Sequence, residues 1–299
     1  MAKKVTRKKL RARSVLDVPL QEVSGICLRR GRNREMSLIA VGDRVAKVAR
    51  LSLPHNERES PEWDITNIAR LSGSKLPKKN PQIEAVCADG IGRILLLQET
   101  PPRVEVIDPK ISKVVASIEL MVKGRGDLAR SWSNPNGSRG EGIVLLPGGH
   151  LLIAKEKRPA ALIEFGLRNS KPEGLMRGGA LGAGKRWPIR NGKHQFVALA
   201  VWFSDKKLAR ACADFSDLEI GPDGCLYVLS DKSAAIARLD DLPAGGGTAS
   251  LVATWKLDGL KGKPEGLAFT ANGRAVVALD ERKARRNLVL LKPPIATNP

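Results

Sequence analysis

Aromatic side chains are scarce in this sequence: phenylalanine, tryptophan and tyrosine together make up 4% of 299 residues, with a single tyrosine. A protein that holds nucleic acid by stacking bases on aromatic platforms is poorly provided for by such a composition. Histidine is rarer still, at His55, His150 and His194. Two of these fall in predicted loops and His150 follows a turn, so neither a histidine general base nor a histidine-bound zinc site is expected. The cysteines, Cys27, Cys87, Cys212 and Cys225, form no C-x-x-C pair and are too sparse for a disulfide scaffold. They read as buried, reduced thiols.

Long apolar runs are missing as well. No window reaches the roughly 18 consecutive apolar residues that span a bilayer, and the basic N-terminal stretch has no apolar core of a secretory signal, since Arg11 follows Leu10. The expectation is a soluble, cytoplasmic monomer without membrane insertion. No G-x-S-x-G elbow offers a nucleophilic serine. The stretch "GALGAGK", residues 179 to 185, has the glycine and lysine spacing of a phosphate-binding loop, but Arg186 stands where a metal-binding Ser or Thr is required and Trp187-Pro188 forbids the helix that should follow. It reads as a basic loop, with Lys185 and Arg186 as anion contacts.

Acid is in deficit against base: 51 Lys and Arg face 31 Asp and Glu, for a formal charge of +20. Residues 1–13 hold seven of the bases and no acid, and read as a flexible basic arm ahead of a single domain over 14–299. Further basic runs occur at 29–34, 75–79 and 281–286. Such a surface suits a non-catalytic scaffold for nucleic acid, polyphosphate or an acidic protein, with phosphate contacts carrying the affinity. Solvated loops in a basic protein account for it equally well.

Against these absences stands a repeat. Four segments align without a gap: "IEAVCADGIGRILLLQET" from Ile83, "GEGIVLLPGGHLLIAKEK" from Gly140, "FSDLEIGPDGCLYVLSDK" from Phe215 and "PEGLAFTANGRAVVALDE" from Pro264. With Glu84, Glu141, Ser216 and Glu265 as position zero, position eight is Gly92, Gly149, Gly224 and Gly273, and position fifteen is Glu99, Glu156, Asp231 and Asp280. A looser copy runs from Ser24 to Asp43. Glycine between two β-rich runs marks a hairpin turn, and two more strand-like runs follow most of the hairpins.

Four strands per unit make a propeller blade. The reading is an all-β protein, a propeller of five blades of four antiparallel strands, in which the N-terminal strand "RSVLDVPLQ" completes the last blade and leaves no open edge. A sixth blade within 168–213 is the alternative.

Hairpin geometry sets position zero opposite or diagonal to position fifteen. Because first strands line the channel of a propeller, Asp43, Glu84, Glu99, Glu141, Glu156, Asp231, Glu265 and Asp280 are expected to gather at one mouth. Like charges so placed repel. A hard cation such as Ca²⁺, which takes six to eight oxygen ligands, offsets that repulsion; so do salt bridges from Lys157, Lys232, Arg44, Lys155 or Arg103, or hydrogen bonds from backbone N–H groups. Both accounts stand at this point.

The segments "RGEGIVLLPGGHLLIAKEK", "FSDLEIGPDGCLYVLSDK" and "KPEGLAFTANG" resemble the SdiA-regulated protein family, which is similar to the esterase-like phytase group of β-propellers. The resemblance covers roughly residues 15 to 292. It implies a propeller associated with calcium and, in the phytase-like branch, with phosphate-ester hydrolysis, the ring acids falling on the family's recurrent acidic positions. A metal-dependent, phosphoesterase-like hydrolase would then use the acids as ligands, with Lys157, Lys232 and Arg44 near the mouth holding a phosphate ester or other anionic ligand. No catalytic residue is assigned by it.

Overall fold

Each gapless repeat folds as the hairpin its glycine demands. Gly92, Gly149, Gly224 and Gly273 take φ values of 86°, 93°, 76° and 77°, a region other residues enter only under strain. The structure is a computed structural model describing residues 8–31, 35–53, 60–124, 126–134, 138–182 and 184–296.

Strand β1 (Lys8–Leu16) precedes the first blade. Blade 1 is β2 (Val23–Arg30), β3 (Met36–Gly42), β4 (Lys47–Leu53) and β5 (Trp63–Asn67). Blade 2 is β6 (Ile83–Ala88), β7 (Ile94–Gln98), β8 (Arg103–Ile107) and β9 (Val114–Met121). Helix α1 (Gly126–Ser133) leads to blade 3, formed by β10 (Gly140–Leu145), β11 (Leu151–Lys155), β12 (Ala161–Leu167) and β13 (Gly192–Ser204). After helix α2 (Lys206–Ala211), blade 4 contains β14 (Asp217–Ile220), β15 (Leu226–Ser230), β16 (Ala235–Leu239) and its outer strand β18 (Leu251–Leu257), while the short β17 (Gly247–Ala249) between β16 and β18 pairs with β13 of blade 3. Blade 5 is β19 (Lys263–Phe269), β20 (Ala275–Asp280) and β21 (Leu288–Lys292), completed by β1.

The second strand of a blade is covered by the neighbouring blade on each face, so it reads as a continuous apolar run instead of an alternating one. Every residue of β7 (ILLLQ), β11 (LLIAK) and β15 (LYVLS) is buried. First strands pack around a ring: β2 lies on β6, β6 on β10, β10 on β14, β14 on β19 and β19 on β2. The ring is tight where a glycine follows position zero. A Cβ on Gly25 would lie 2.9 Å from Ala85 Cα, one on Gly142 2.4 Å from Leu218 N, and one on Gly266 3.0 Å from Ile26 N.

Parallel pairing stitches the perimeter, β9 to β13, β13 to β17 and β18 to β1. Strand β1 serves two blades, pairing Lys8–Leu10 with β18 and Arg11–Leu16 antiparallel with β21. Residues 8–13 of the expected basic arm are part of this strand instead. They belong to the sheet because Leu10 is fully buried and pairs level with Leu257 of β18; residues 1–7 lie outside the described residues.

Residues 168–213 hold β13, α2 and an extended loop between β12 and β13. This loop crosses the turn ends of blades 2, 3 and 4: Gly90 N–H donates to Lys185 O at 2.9 Å, Leu181 N–H to Leu145 O at 3.1 Å, and Gly178 N–H to Gly224 O at 2.8 Å. Trp187, fully buried, anchors it. One mouth of the channel is covered in this way. The acids lie at the other.

Candidate functional site

The position-zero residues owe their placement to a register slip. Ile83 pairs with Gln98 and Ala85 with Leu97, leaving Glu84 outside the ladder. The same slip isolates Glu141 between Gly140 and Gly142, Glu265 between Pro264 and Gly266, and Ser24 between Val23 and Gly25. A β-bulge of this kind re-aims a side chain without ending the strand, and bulges recur beside functional sites. Asp43, Glu99, Glu156 and Asp231 directly follow the second strands of their blades, and Asp280 ends one.

Acids from different blades lie near enough to act on one another's charge. Burial raises the proton affinity of Glu84 well above the usual carboxylate range, and Glu99, Asp43, Glu265 and Glu156 raise it further. Glu141 is raised by burial and then by Glu84, Glu156, Glu265 and Glu99. Glu265 is pushed up to about 8 by burial, with Asp231 and Asp280 adding to it. Burial and then Glu22 lift Asp43 to about 6; Glu99 and Asp231 are raised chiefly by burial.

Salt bridges and hydrogen bonds answer the outer acids. Lys263 Nζ lies 3.5 Å from Asp280, Lys157 pairs with Glu156, and Arg44 pairs with Glu22 and lies 3.9 Å from Asp43. Arg139 N–H donates to Glu99 at 3.1 Å. Lys155, fully buried, is brought down to about 8 by burial against the opposing pull of Glu156, and its ammonium donates to Lys157 O. The inner acids are different. Among the described residues Glu84, Glu141 and Glu265 make no ion pair and accept no hydrogen bond, and a buried oxygen of Asp43 also lacks a partner.

The position-zero serines turn away from the acids. Ser24 Oγ donates to Ile83 O and Ser216 Oγ to Pro264 O at 3.0 Å, so each ties its blade to the first strand of the next instead of facing Asp43 or Asp231. In blade 4 a further acid, Asp217, occupies the place that glycine holds in blades 1, 3 and 5 and Ala85 in blade 2. Its carboxylate accepts from Leu267 N at 2.6 Å and from its own neighbour Leu218 N at 2.7 Å. The alternating "SDLEI" was the available signal for Asp217 and for Glu219, which burial pushes up to about 8. Arg103, offered as a partner for the ring, pairs with Glu105 at 3.2 Å instead.

Lys185 and Arg186 are not brought to the acidic mouth; they sit in the loop over the turn ends. Lys232 is exposed, with its backbone N–H held by the buried carboxylate of Asp214 at 3.2 Å. Among the described residues no three ring acids bring an oxygen each within 4.8 Å of one another.

A histidine cluster does form away from the ring. His150 Nδ1 lies 2.6 Å from Glu164 Oε1 and 3.1 Å from Glu173 Oε1. Glu164, fully buried, also accepts from the N–H groups of Glu173 at 2.7 Å and Gly174 at 3.0 Å, so it fixes the root of the loop that covers the far mouth. Its replacement, Glu164→Ala, leaves those donors unpaired and is expected to cost about 3–5 kcal/mol in urea unfolding.

No family model matches the chain, and no curated protein matches it in sequence. Solved structures do. The crystal structure of Myxococcus xanthus glutaminyl cyclase aligns with 96% of this chain and 98% of its own, with TM-score 0.51 and 11% identity. Regucalcin from Agrobacterium tumefaciens, a calcium-binding protein, aligns over 98% and 99% with TM-score 0.49 and 13% identity. At these identities a likeness concerns the fold alone. The chain is an all-β propeller, and among the described residues no helix is long and apolar enough to cross a membrane.

Proposed function

We propose that the acidic mouth is a divalent-cation site, with Ca²⁺ the ion its hard oxygen donors suit, and that it presents the cation to a small anionic ligand such as a phosphate ester. The observation that carries this reading is the trio Glu84, Glu141 and Glu265: carboxyls from three blades, half-buried together, with no hydrogen bond and no close ion pair among the described residues, although Lys263 acts on Glu265 and Glu141 on Lys155 from farther off. Burying carboxylates unpaired is costly. Three bulges that create the arrangement argue for a ligand that offsets the cost.

Glu84, Glu141 and Glu265, whose oxygens stand farther apart than one cation's ligands, would draw together to hold the ion, with Asp43, Glu99, Glu156, Asp231 and Asp280 beside them. Bound there, Ca²⁺ would supply Lewis-acid charge to an anionic oxygen. Lys157 and Arg44, half-exposed and exposed beside this mouth, add the positive field that draws the anion in, and Lys232 extends it. A ring acid left free by the ion would serve as general base toward a water held there. The resemblance to phytase-like propellers favours phosphate-ester hydrolysis over mere binding.

Calorimetric titration with CaCl₂ tests the reading. The expected result is about one ion per chain, with Glu141→Gln and Glu156→Gln together weakening binding by at least about tenfold, the loss of roughly one charged ligand contact. Heat indistinguishable from dilution, in a protein that melts cooperatively, would remove the metal and with it the hydrolase.

A further inference from the structure

The perimeter between blades 4 and 5 sets positive charges side by side. Parallel pairing places Lys9 level with Lys256, and antiparallel pairing places Arg11 level with Lys292. Residues level on adjacent strands share a face, and so do Lys9 and Arg11, two apart on β1. All four are exposed, while Leu10 between them points into the core. One carboxylate answers the group: Asp258 lies 3.5 Å from Lys9 Nζ and 3.5 Å from Arg11 Nε. Among the described residues Lys256 and Lys292 have no ion pair.

A recess adjoins this row on the Lys256 side. Arg210, Ser233, Thr254 and Lys256 line it together with Ala211 and Ala235. Two cations and two hydroxyls meet there, and its lining contains no carboxylate. Helix α2 adds Lys206 and Lys207, both exposed, whereas the carboxylate of Asp205 is turned to its N-cap role, accepting from Leu208 N at 2.6 Å.

Like charges directly opposite on neighbouring strands destabilise a sheet. Here the pairing repeats, and a single acid is too little to balance it. From β16 through β18 and β1 to β21 is three strand spacings, about 15 Å, which along one strand of a duplex is the length of about four phosphates.

We propose that the recess and the row of Lys9, Arg11 and Lys292 form one binding site for a linear chain of phosphates, with one phosphate seated between Arg210 and Lys256 and the next ones along β1. The chain is the backbone of a nucleic acid or inorganic polyphosphate. Recognition is of charge and spacing alone, because Trp255, beside Lys256, is buried on the opposite face and offers no ring to a base. This site is separate from the acidic mouth and needs no cation.

The test uses the full chain, a short fluorescent DNA duplex and, as a second probe, inorganic polyphosphate, over a series of salt concentrations. Binding is expected to weaken with salt with a logarithmic slope of about −3 to −4, as for roughly four phosphate contacts. The variant Lys9→Ala/Arg11→Ala/Arg210→Ala/Lys256→Ala should bind at least about tenfold more weakly, with a slope shallower by about 3, and should melt no lower than the parent because repulsion has been removed. A control, Lys75→Ala/Lys78→Ala/Lys79→Ala, removes three exposed cations elsewhere and should leave both quantities nearly unchanged. The probe that shows this pattern identifies the source of the phosphate chain. Equal losses in the two variants, or no binding of either probe by the parent, would overturn the site.

Discussion

Replacing Glu84, Glu141 and Glu265 together by glutamine is expected to raise the melting temperature in chelator at pH 8.5 by about 5–10 °C, a few kcal/mol of relieved repulsion and desolvation. The sign follows from linkage. All three have folded-state proton affinities above their unfolded ones, with Glu265 at about 8 against an ordinary 4.5. The folded chain thus holds more protons than the unfolded chain between those limits, and its stability falls as pH rises through that window. The parent should melt higher at pH 6 than at pH 8.5, and the triple variant should lose most of that difference. Glu219, also lifted to about 8, leaves a remainder. A variant that melts lower than the parent at pH 8.5 would mean that the three carboxylates support the fold, and the case for a ligand would lapse.

The second large effect belongs to the ring that brings the acids together. Gly142→Ala is expected to cost about 1–3 kcal/mol, or roughly 2–10 °C in melting temperature, by overpacking. A Cβ there would meet backbone of blade 4, Leu218 N at 2.4 Å and the Asp217 carbonyl carbon at 2.8 Å, and backbone cannot swing aside as a long side chain can. Gly182→Ala, where the nearest atoms are the end of the Lys185 side chain at 3.8 Å, should be nearly silent. Equal tolerance at the two positions would mean that blades 3 and 4 are packed more loosely than this geometry requires. Because Glu141 directly precedes Gly142, a shift here should also weaken cation binding.

Much of this architecture is legible in the residues themselves. The gapless repeat fixes the hairpins because a single requirement, positive φ at the turn, shows as glycine each time, and the gathering of the acids follows from hairpin geometry. What the repeat hides is direction. Ser24 and Ser216 align with Glu84, Glu141 and Glu265, yet their short side chains reach a carbonyl in the next blade and not the acidic mouth. The bulge is equally silent, since a one-residue slip leaves the spacing of the sequence unchanged while taking Glu141 out of the ladder. Basic composition over residues 8–13 resembles a free arm because the pairing of β1 depends on β18 and β21, more than 240 residues away. Asp214 and Glu164, bound to backbone N–H groups, sit outside the repeat and have no spacing to announce them.

Whether the acidic mouth holds a cation is tested most directly by a melting curve of the full chain at pH 8.5 with Ca²⁺ in excess against the same chain in chelator. A rise of several degrees with Ca²⁺, absent from the Glu84→Gln/Glu141→Gln/Glu265→Gln variant, is the predicted result; a binding ligand at about 100 times its dissociation constant stabilises by roughly 2.7 kcal/mol. Superimposable curves for the parent with and without Ca²⁺ would contradict it.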